Sequence, residues 1–184
     1  QHTKRFVRAF WGLDKQLANS RHYPAISWMD SYSEYIEDVA EWWMEKTNGE
    51  WHSLRTEIIA VMQQEARLQR VVKLVGADVL PDSQRLILET ANIFKNAFLQ
   101  QNAYDKVDAY SGAEKQYRML QIITTLHKLA LDAIRGGTSL DVIRQAPVFN
   151  EVMQMKYQYD NETANRLTDL LERARETFHG FRRD

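Results

Sequence analysis

Apolar residues recur every three or four positions along most of the chain after Pro24. This spacing is that of one face of an α-helix, which makes one turn in about 3.6 residues. The longest such stretch predicts a helix from Trp51 to about Val75 that ends at Gly76. A second predicts a helix over residues 113–135, and the glycine pair that follows it is a common helix stop.

Start and stop signals predict the remaining helices. Ser33 is a candidate N-cap for a helix that runs to Asn48-Gly49, and Pro81 followed by Asp82 is typical of a first helical turn. Shorter helical segments are predicted from Thr138 through Arg144, from Pro147 to Tyr159 and from Glu162 to Phe178. No fixed repeat length recurs, so a solenoid is not indicated. The predicted fold class is all-α, a helical bundle.

The first residues, QHTKRFVRAFWGLD, break this pattern. They contain an apolar, β-prone run, for which no partner strand is evident elsewhere: Phe6, Val7, Phe10 and Trp11. A lone strand leaves its backbone groups unpaired. We therefore expect a short strand or loop left from a preceding domain of a longer polypeptide. Residues 1–24 would be the tail of that domain and a linker, and residues 25–184 the helical bundle domain.

Composition narrows the class of protein. The chain has 184 residues, 44% of them hydrophobic, which is typical of a globular domain with a real core. The net charge of -1 and the mixing of acidic and basic residues argue against binding of nucleic acid. Without cysteine there is no disulfide framework or thiolate site, and no apolar run is long enough to span a bilayer. We expect a soluble, cytoplasmic protein without direct membrane insertion.

Local motifs predict no catalytic site in the chain. There is no G-x-x-x-x-G-K-[ST] and no G-x-G-x-x-G, and RGGTS at residues 135–139 is better explained as a helix stop followed by a cap. One Glu-x-x-His, from Glu176 to His179, has no second pair of the kind a di-iron bundle requires, so no metal site is predicted. His127 has helical spacing from Ile123 and Leu131, which favours a hydrogen-bonded histidine within the bundle over a general base.

Aromatic residues leave two questions open. The five tryptophans, with Trp42 and Trp43 adjacent, are more simply packing anchors than a surface for a partner. Tyr104 and Tyr110 stand six apart on a polar connector. One possibility is that both rings pack at the helix junction with their hydroxyl groups in contact with water. The other is that they form a slot for a planar ligand such as a nucleobase, because every base has a face that an aromatic ring can cover.

Three segments carry a resemblance to a known family: FWGLDKQLANSRHYPAISW, LVGADVLPDSQRL and FLQQNAYDKVDAYSGAEKQYRML. In this order they closely resemble the C-terminal part of the catalytic A subunit of V-type and archaeal-type rotary ATPases, over essentially the whole chain. The resemblance implies that the phosphate-binding loop and the catalytic residues lie upstream of Gln1. The N-terminal strand would then end the nucleotide-binding domain, and the chain alone would be inactive.

The resemblance also implies two functional regions. The connector resembles the adenine-side loop of the family, in which Tyr104 and Tyr110 would line the base pocket with Gln101 and Val107 as walls. Tyr104 stands where the family often has phenylalanine. A second segment resembles the loop that bears on the rotating shaft, and here it is only weakly acidic: Gly76, Ala77, Asp78, Val79, Leu80, Pro81 and Asp82. We therefore expect contact by shape and packing rather than by charge.

The implied cofactors and partners belong to the full-length catalytic subunit. ATP or ADP with Mg²⁺ would bind there, and none would be held tightly by this chain. The partners would be the central stalk subunits and the B subunit. ATP synthesis or hydrolysis would be coupled to shaft rotation and to H⁺ or Na⁺ transport. The competing hypothesis is a freestanding helical interaction module, which would have a native start near Gln1 and a self-contained N-terminus.

Overall fold

A computed structural model describes residues 7–181. In chain order the elements are β1 (Ala9–Leu13), α1 (Lys15–Asn19), β2 (Ile26–Ser33), α2 (Ala40–Lys46), α3 (Trp51–Val75), α4 (Asp82–Phe94), α5 (Ala113–Arg135), α6 (Leu140–Ile143), α7 (Val148–Gln158) and α8 (Leu167–Phe181). Short 3₁₀ turns cover Glu34–Ile36 and Ala164–Arg166, and a π-helical turn, Lys95–Leu99, extends α4. The predicted helical bundle with a short strand region at its N-terminus is confirmed.

The core forms around α5, which contacts α3, α4, α6, α7 and α8. Its buried apolar side chains form one broad face of the helix: Met119, Leu120, Ile122, Ile123, Leu126, Ala130 and Ala133. The apolar stripe of α8 packs along it and is equally buried: Leu167, Leu170, Leu171, Ala174 and Phe178. A helix with such a broad apolar face is stable only when other helices cover that face.

The bounds predicted for α3 and α5 are confirmed. Gly76 ends α3 with φ of +86°, and Gly137 follows α5 with φ of +101°. Such angles are in the region that side chains with a Cβ rarely adopt, which is why glycine stops helices there.

The helix predicted from Ser33 to Asn48 is wrong as a single element. Ser33 Oγ accepts a hydrogen bond from the Tyr35 amide, as a cap should, but the turn it starts is a 3₁₀ turn that ends at Ile36. The α-helix begins only at Ala40. In the turn between them, Asp38 forms an ion pair of 2.8 Å with Arg8, a contact 30 residues away that local periodicity does not reveal.

The expectation that the N-terminal strand has no partner is also wrong. β1 pairs antiparallel with β2, with Phe10 opposite Tyr32 and Gly12 opposite Ser27 across a bulge. The partner was missed because Met29 and Asp30 exchange the apolar and polar positions within β2 and so break the period-two signal of a strand. A missing partner strand is therefore no longer a reason to regard β1 as the remnant of a preceding domain. Phe6, the first residue of the predicted strand region, lies outside the described residues.

The prediction for His127 is confirmed. Its Nδ1 lies 2.7 Å from Thr90 Oγ1, so the ring bridges α4 and α5. Burial lowers the pKa of His127, and the nearby Lys128 charge acts in the same direction. The imidazole is therefore neutral near pH 7 and serves packing.

The tryptophans were predicted to be packing anchors of the core, and the expectation that they lie within the core is wrong. None of the five is buried, although Trp28 packs against the edge of the core. Trp43 and Trp51 stack on each other with ring centroids 5.8 Å apart. Trp28, Trp43 and Trp51 border one cavity, and we call these three residues the tryptophan layer.

Replacing a side chain at the α5–α8 contact should lower stability strongly. Leu170 is fully buried, so Leu170→Ala is expected to lower the free energy of unfolding by about 2–5 kcal/mol through lost burial and the cavity left behind. Leu74 is 85% exposed, and the matched Leu74→Ala should change it by less than about 0.5 kcal/mol. Urea denaturation of both variants measures the difference, and equal costs would contradict the described core.

Candidate functional site

The connector between the π-helical turn and α5 folds around the carboxylate of Asp108. This residue is buried, and its Oδ2 accepts a hydrogen bond of 2.7 Å from the Asn102 amide. The Gln101 side chain donates to the Asp108 carbonyl at 2.8 Å. These bonds join the two halves of the connector, so it is held as a compact loop.

Two further side chains shape the turns within the connector. Asp105 Oδ1 accepts hydrogen bonds from the amides of Val107 and Asp108, at 2.9 and 2.8 Å. These bonds lower the pKa of Asp105, because they favour its ionised form. Asn102 Oδ1 accepts a bond of 3.0 Å from the Tyr104 amide. The backbone that carries Tyr104 is thereby fixed by short-range polar contacts typical of turns.

Two buried lysines attach the connector to the bundle. Lys115 Nζ donates to the carbonyls of Val107, at 3.2 Å, and Lys156, at 2.9 Å. Lys156 Nζ donates to the Gln100 carbonyl at 2.8 Å and lies 3.5 Å from Asp108 Oδ2. We call Asp108, Lys115 and Lys156 the loop clamp. It links the connector to α5 and α7.

The loop clamp concentrates charge in a buried place. Burial lowers the pKa of Lys115, while the carboxylates of Asp108, Asp160 and Asp105 oppose that shift. Removing an ammonium group from water is costly unless carbonyls and carboxylates replace the water. Here three backbone carbonyls and Asp108 do so for the two lysines.

Neither tyrosine of the connector is covered. Tyr104 is 99% exposed and Tyr110 is 75% exposed, on a loop whose backbone is held by the clamp. The interpretation of these rings as packing at the helix junction is therefore wrong for the described residues. The polar contacts of the loop hold the backbone and leave both rings free to contact something else.

A cavity of about 470 Å³ lies beside Tyr104. It brings Tyr104 and Gln101 together and is also lined by Arg21, Tyr23 and Tyr157. Tyr110 and Val107 do not line it. The Gln101 amide N–H donates to the Tyr23 carbonyl at 2.8 Å, which fixes this wall.

The sequence pattern does not predict a place for Arg21, Tyr23 or Tyr157 in this region. The first two precede β2, and the third lies near the end of α7, so they are distant from the connector along the chain. No local motif marks them. Only the tertiary contacts bring them beside residues 100–104.

The turn between α3 and α4 is the second predicted site. Its Val79 is 62% exposed, whereas Leu80 is buried and anchors the turn. The end of α3 continues the exposed apolar surface, with Leu74 85% and Val75 57% exposed. We call the exposed Val71, Leu74, Val75 and Val79 the α3–α4 patch.

The carboxylate of Asp82 forms its hydrogen bond and ion pair with residues of the bundle itself. Its Oδ2 accepts a bond of 2.9 Å from the Leu140 amide at the start of α6. Its Oδ1 lies 3.1 Å from Arg85, which also pairs with Asp141 at 2.8 Å. Asp82 therefore joins α4 to α6.

Metal-binding and membrane-spanning features are not found in residues 7–181. No group of three or more His, Asp or Glu side chains there is placed to hold a metal ion. Within the same residues, no helix combines the length and apolar character needed to cross a bilayer.

Breaking the loop clamp should loosen the connector. Lys156→Met removes the bond to Gln100 and the ion pair with Asp108, so we expect a loss of about 3–5 kcal/mol in the free energy of unfolding. Amide hydrogen exchange over residues 100–112 should also accelerate. Lys128→Met removes an exposed ion pair with Glu57 and serves as the control. Unchanged exchange in the connector of Lys156→Met would contradict the role of the clamp.

Similar proteins share long stretches of this sequence. The V-type ATP synthase alpha chain of Halothermothrix orenii is 46% identical over 179 residues, which cover 97% of this chain and 30% of that protein. The A subunit of the A-type ATP synthase of Methanococcus maripaludis is 48% identical over 164 residues, 89% of this chain and 28% of that protein. Its counterpart in Methanopyrus kandleri is 42% identical over 178 residues, 97% of this chain and 30% of that protein. The chain thus spans less than a third of the length of these relatives.

A family model gives the assignment. The model described as the C-terminal domain of V and A type ATP synthase matches residues 40–144, more than half of the chain. These residues include α2 to α6, the connector and the α3–α4 patch. The chain therefore belongs to the family of C-terminal domains of V- and A-type ATP synthases.

Proposed function

We propose that this chain acts within the catalytic A subunit of a V/A-type rotary ATPase. There it lines the adenine side of the nucleotide site and couples ATP synthesis or hydrolysis to shaft rotation and to H⁺ or Na⁺ transport. The observation that carries the adenine assignment is a clamped connector that leaves Tyr104 and Tyr110 uncovered, in a chain of this family. The full-length catalytic subunit would be the enzyme.

Exposed rings on a rigid loop suit a planar ligand. Stacking of a base on an aromatic ring contributes about 1–3 kcal/mol, and holding the ring in place beforehand reduces the entropy lost on binding. The cavity beside Tyr104 and Gln101 is the more enclosed part of this surface. Tyr110 would contact the base from outside that cavity, and Val107 would support the loop through its carbonyl bond to Lys115.

The free energy of base stacking argues against tight binding of ATP by this chain alone. Millimolar affinity already needs about 4 kcal/mol, which exceeds the contribution of one stacked ring. The phosphates and Mg²⁺ need a phosphate cradle, and the chain has no G-x-x-x-x-G-K-[ST] motif to supply one. The adenine-side residues would therefore orient ATP or ADP while other parts of the full-length protein hold the phosphates and Mg²⁺.

The α3–α4 patch suits contact with the central shaft. Its side chains are apolar and exposed, so they offer a surface for packing, as expected for a weakly acidic turn. Gly76, Ala77, Asp78 and Pro81 would shape the turn that presents Val79. Leu80 and Asp82 would fix the turn to the bundle. A close-packed bundle moves as a rigid body, so displacement of the nucleotide-binding part would be passed to this end.

The surrounding assembly follows from the same proposal. The partners would be the central stalk subunits and the B subunit, and the chain would lie on the cytoplasmic side, peripheral to the membrane. Residues 1–24 would end the nucleotide-binding domain, and residues 25–184 would form the helical domain. Because β1 pairs with β2, the start of the helical domain would extend the edge of the preceding one.

Truncating Tyr104 in the full-length protein tests the adenine assignment. Tyr104→Ala should raise the dissociation constant for ATP about 5- to 150-fold, the range that corresponds to one lost stacking contact. Tyr104→Phe keeps the ring and should leave affinity nearly unchanged. Calorimetry with ATP and with pyrophosphate separates base from phosphate contacts. Equal weakening of both ligands, or no change in ATP binding, would count against the assignment.

Polar substitutions in the α3–α4 patch test the coupling role. In the assembled ATPase, Leu74→Ser combined with Val79→Ser should lower torque, because the shaft would lose apolar contacts, while single-site affinity for ATP stays unchanged. Val142→Ser changes a similarly exposed valine on α6 and is the control. Single-molecule rotation under load measures the torque. Undiminished torque in the double variant would exclude the patch as the contact.

A further inference from the structure

The tryptophan layer borders a second cavity, which lies apart from the connector and from the α3–α4 patch. Its volume is about 340 Å³, and its lining includes Trp28, Trp43 and Trp51. None of Gln101, Tyr104, Val107 and Tyr110 lines it, and neither does the α3–α4 patch. Its volume and its largely apolar, aromatic lining are those of a small-molecule site.

The tryptophan side of this cavity is held in place before any ligand binds. The rings of Trp43 and Trp51 stack with only 10° between their planes. His22 packs edge-on against Trp28 at 5.8 Å, and Lys95 Nζ lies 5.4 Å from the centre of the Trp28 ring. These contacts fix the orientation of three large apolar surfaces.

Other residues of the lining are fixed by stacking and hydrogen bonding. Phe94 and Phe98 stack with their centroids 5.1 Å apart. The Tyr117 hydroxyl donates to Glu50 Oε2 at 2.5 Å, and burial with this bond raises the pKa of Tyr117 to about 12. The Gln116 side chain donates to the Ser111 carbonyl at 2.7 Å. The Tyr117 hydroxyl and the side-chain nitrogen of Gln116 are therefore already hydrogen-bonded within the protein.

Arg55 is the exception among the polar groups of the lining. Its half-buried side chain forms no hydrogen bond or ion pair with residues 7–181. The residues three and four positions away on α3, which could supply an intrahelical partner, carry no carboxylate: Trp51, His52, Ile58 and Ile59. A guanidinium with free donors beside an aromatic cavity matches a carboxylate, which it can bind through two parallel hydrogen bonds.

We propose that this cavity binds a small aromatic carboxylate. The planar apolar part of the ligand lies among the rings of Trp28, Trp43 and Trp51, and the carboxylate pairs with Arg55. The free guanidinium favours an anionic ligand over an apolar side chain of a partner protein, which would leave the charge unpaired. The proposal is independent of the adenine and shaft assignments.

Calorimetric titration of the chain with 1-naphthylacetate tests the proposal, with 1-naphthylacetamide as an uncharged probe of the same shape. Saturable binding at one site is expected for the carboxylate. Arg55→Met should weaken binding of 1-naphthylacetate about tenfold or more, because a hydrogen bond to a charged group is lost, and should leave binding of the amide unchanged. Arg70→Met changes an arginine outside the cavity lining on the same helix and should affect neither probe.

A second variant separates the ring contacts from the charge contact. Trp51→Leu should weaken both probes, with circular dichroism used to confirm that the helices persist. Absence of saturable 1-naphthylacetate binding, or equal affinity in the wild type and Arg55→Met, would overturn the proposal. Binding to the isolated chain that disappears in the assembled ATPase would also overturn it, because a neighbouring protein segment would then be the natural occupant.

Discussion

The enclosure of α5 is the constraint on which the other features depend. Its buried apolar side chains form one broad face, so the helix is stable only with α3, α4, α7 and α8 packed against it. The first turns of the same helix reach two different places. Lys115 extends into the connector, and Tyr117, two residues later, lines the tryptophan cavity. The packing that buries α5 therefore also positions both surfaces.

The connector is held by buried charge rather than by apolar packing. A buried ion pair is seldom more stable than a well-packed apolar pair, since both charges lose their water. What Asp108, Lys115 and Lys156 provide is a defined backbone path, with carbonyls of the loop satisfying the ammonium groups. A loop fixed in this way needs no aromatic ring to anchor it. Tyr104 and Tyr110 are consequently available for contacts outside the bundle.

Helix α3 relates the tryptophan cavity to the α3–α4 patch. Trp51 and Arg55 lie in its first turns and the patch begins in its last turns, so the length of the helix separates them by roughly 30 Å. The buried apolar residues of α3 lie in its N-terminal half, at Leu54, Ile58 and Met62, and none of its last ten residues is buried.

The class of fold and the main helices could be predicted from the sequence, because the apolar period and the glycine stops are local signals. The ends of α3 and α5 and the place of His127 within the bundle followed from such signals, and three segments were enough to recognise the family. The β1–β2 pair, the break before α2 and the exposure of Tyr104 emerged only in three dimensions. So did the burial of Lys115 and Lys156 and the cavity beside the tryptophans. These features depend on contacts between residues far apart in the chain, about which the local pattern of polar and apolar positions carries no information.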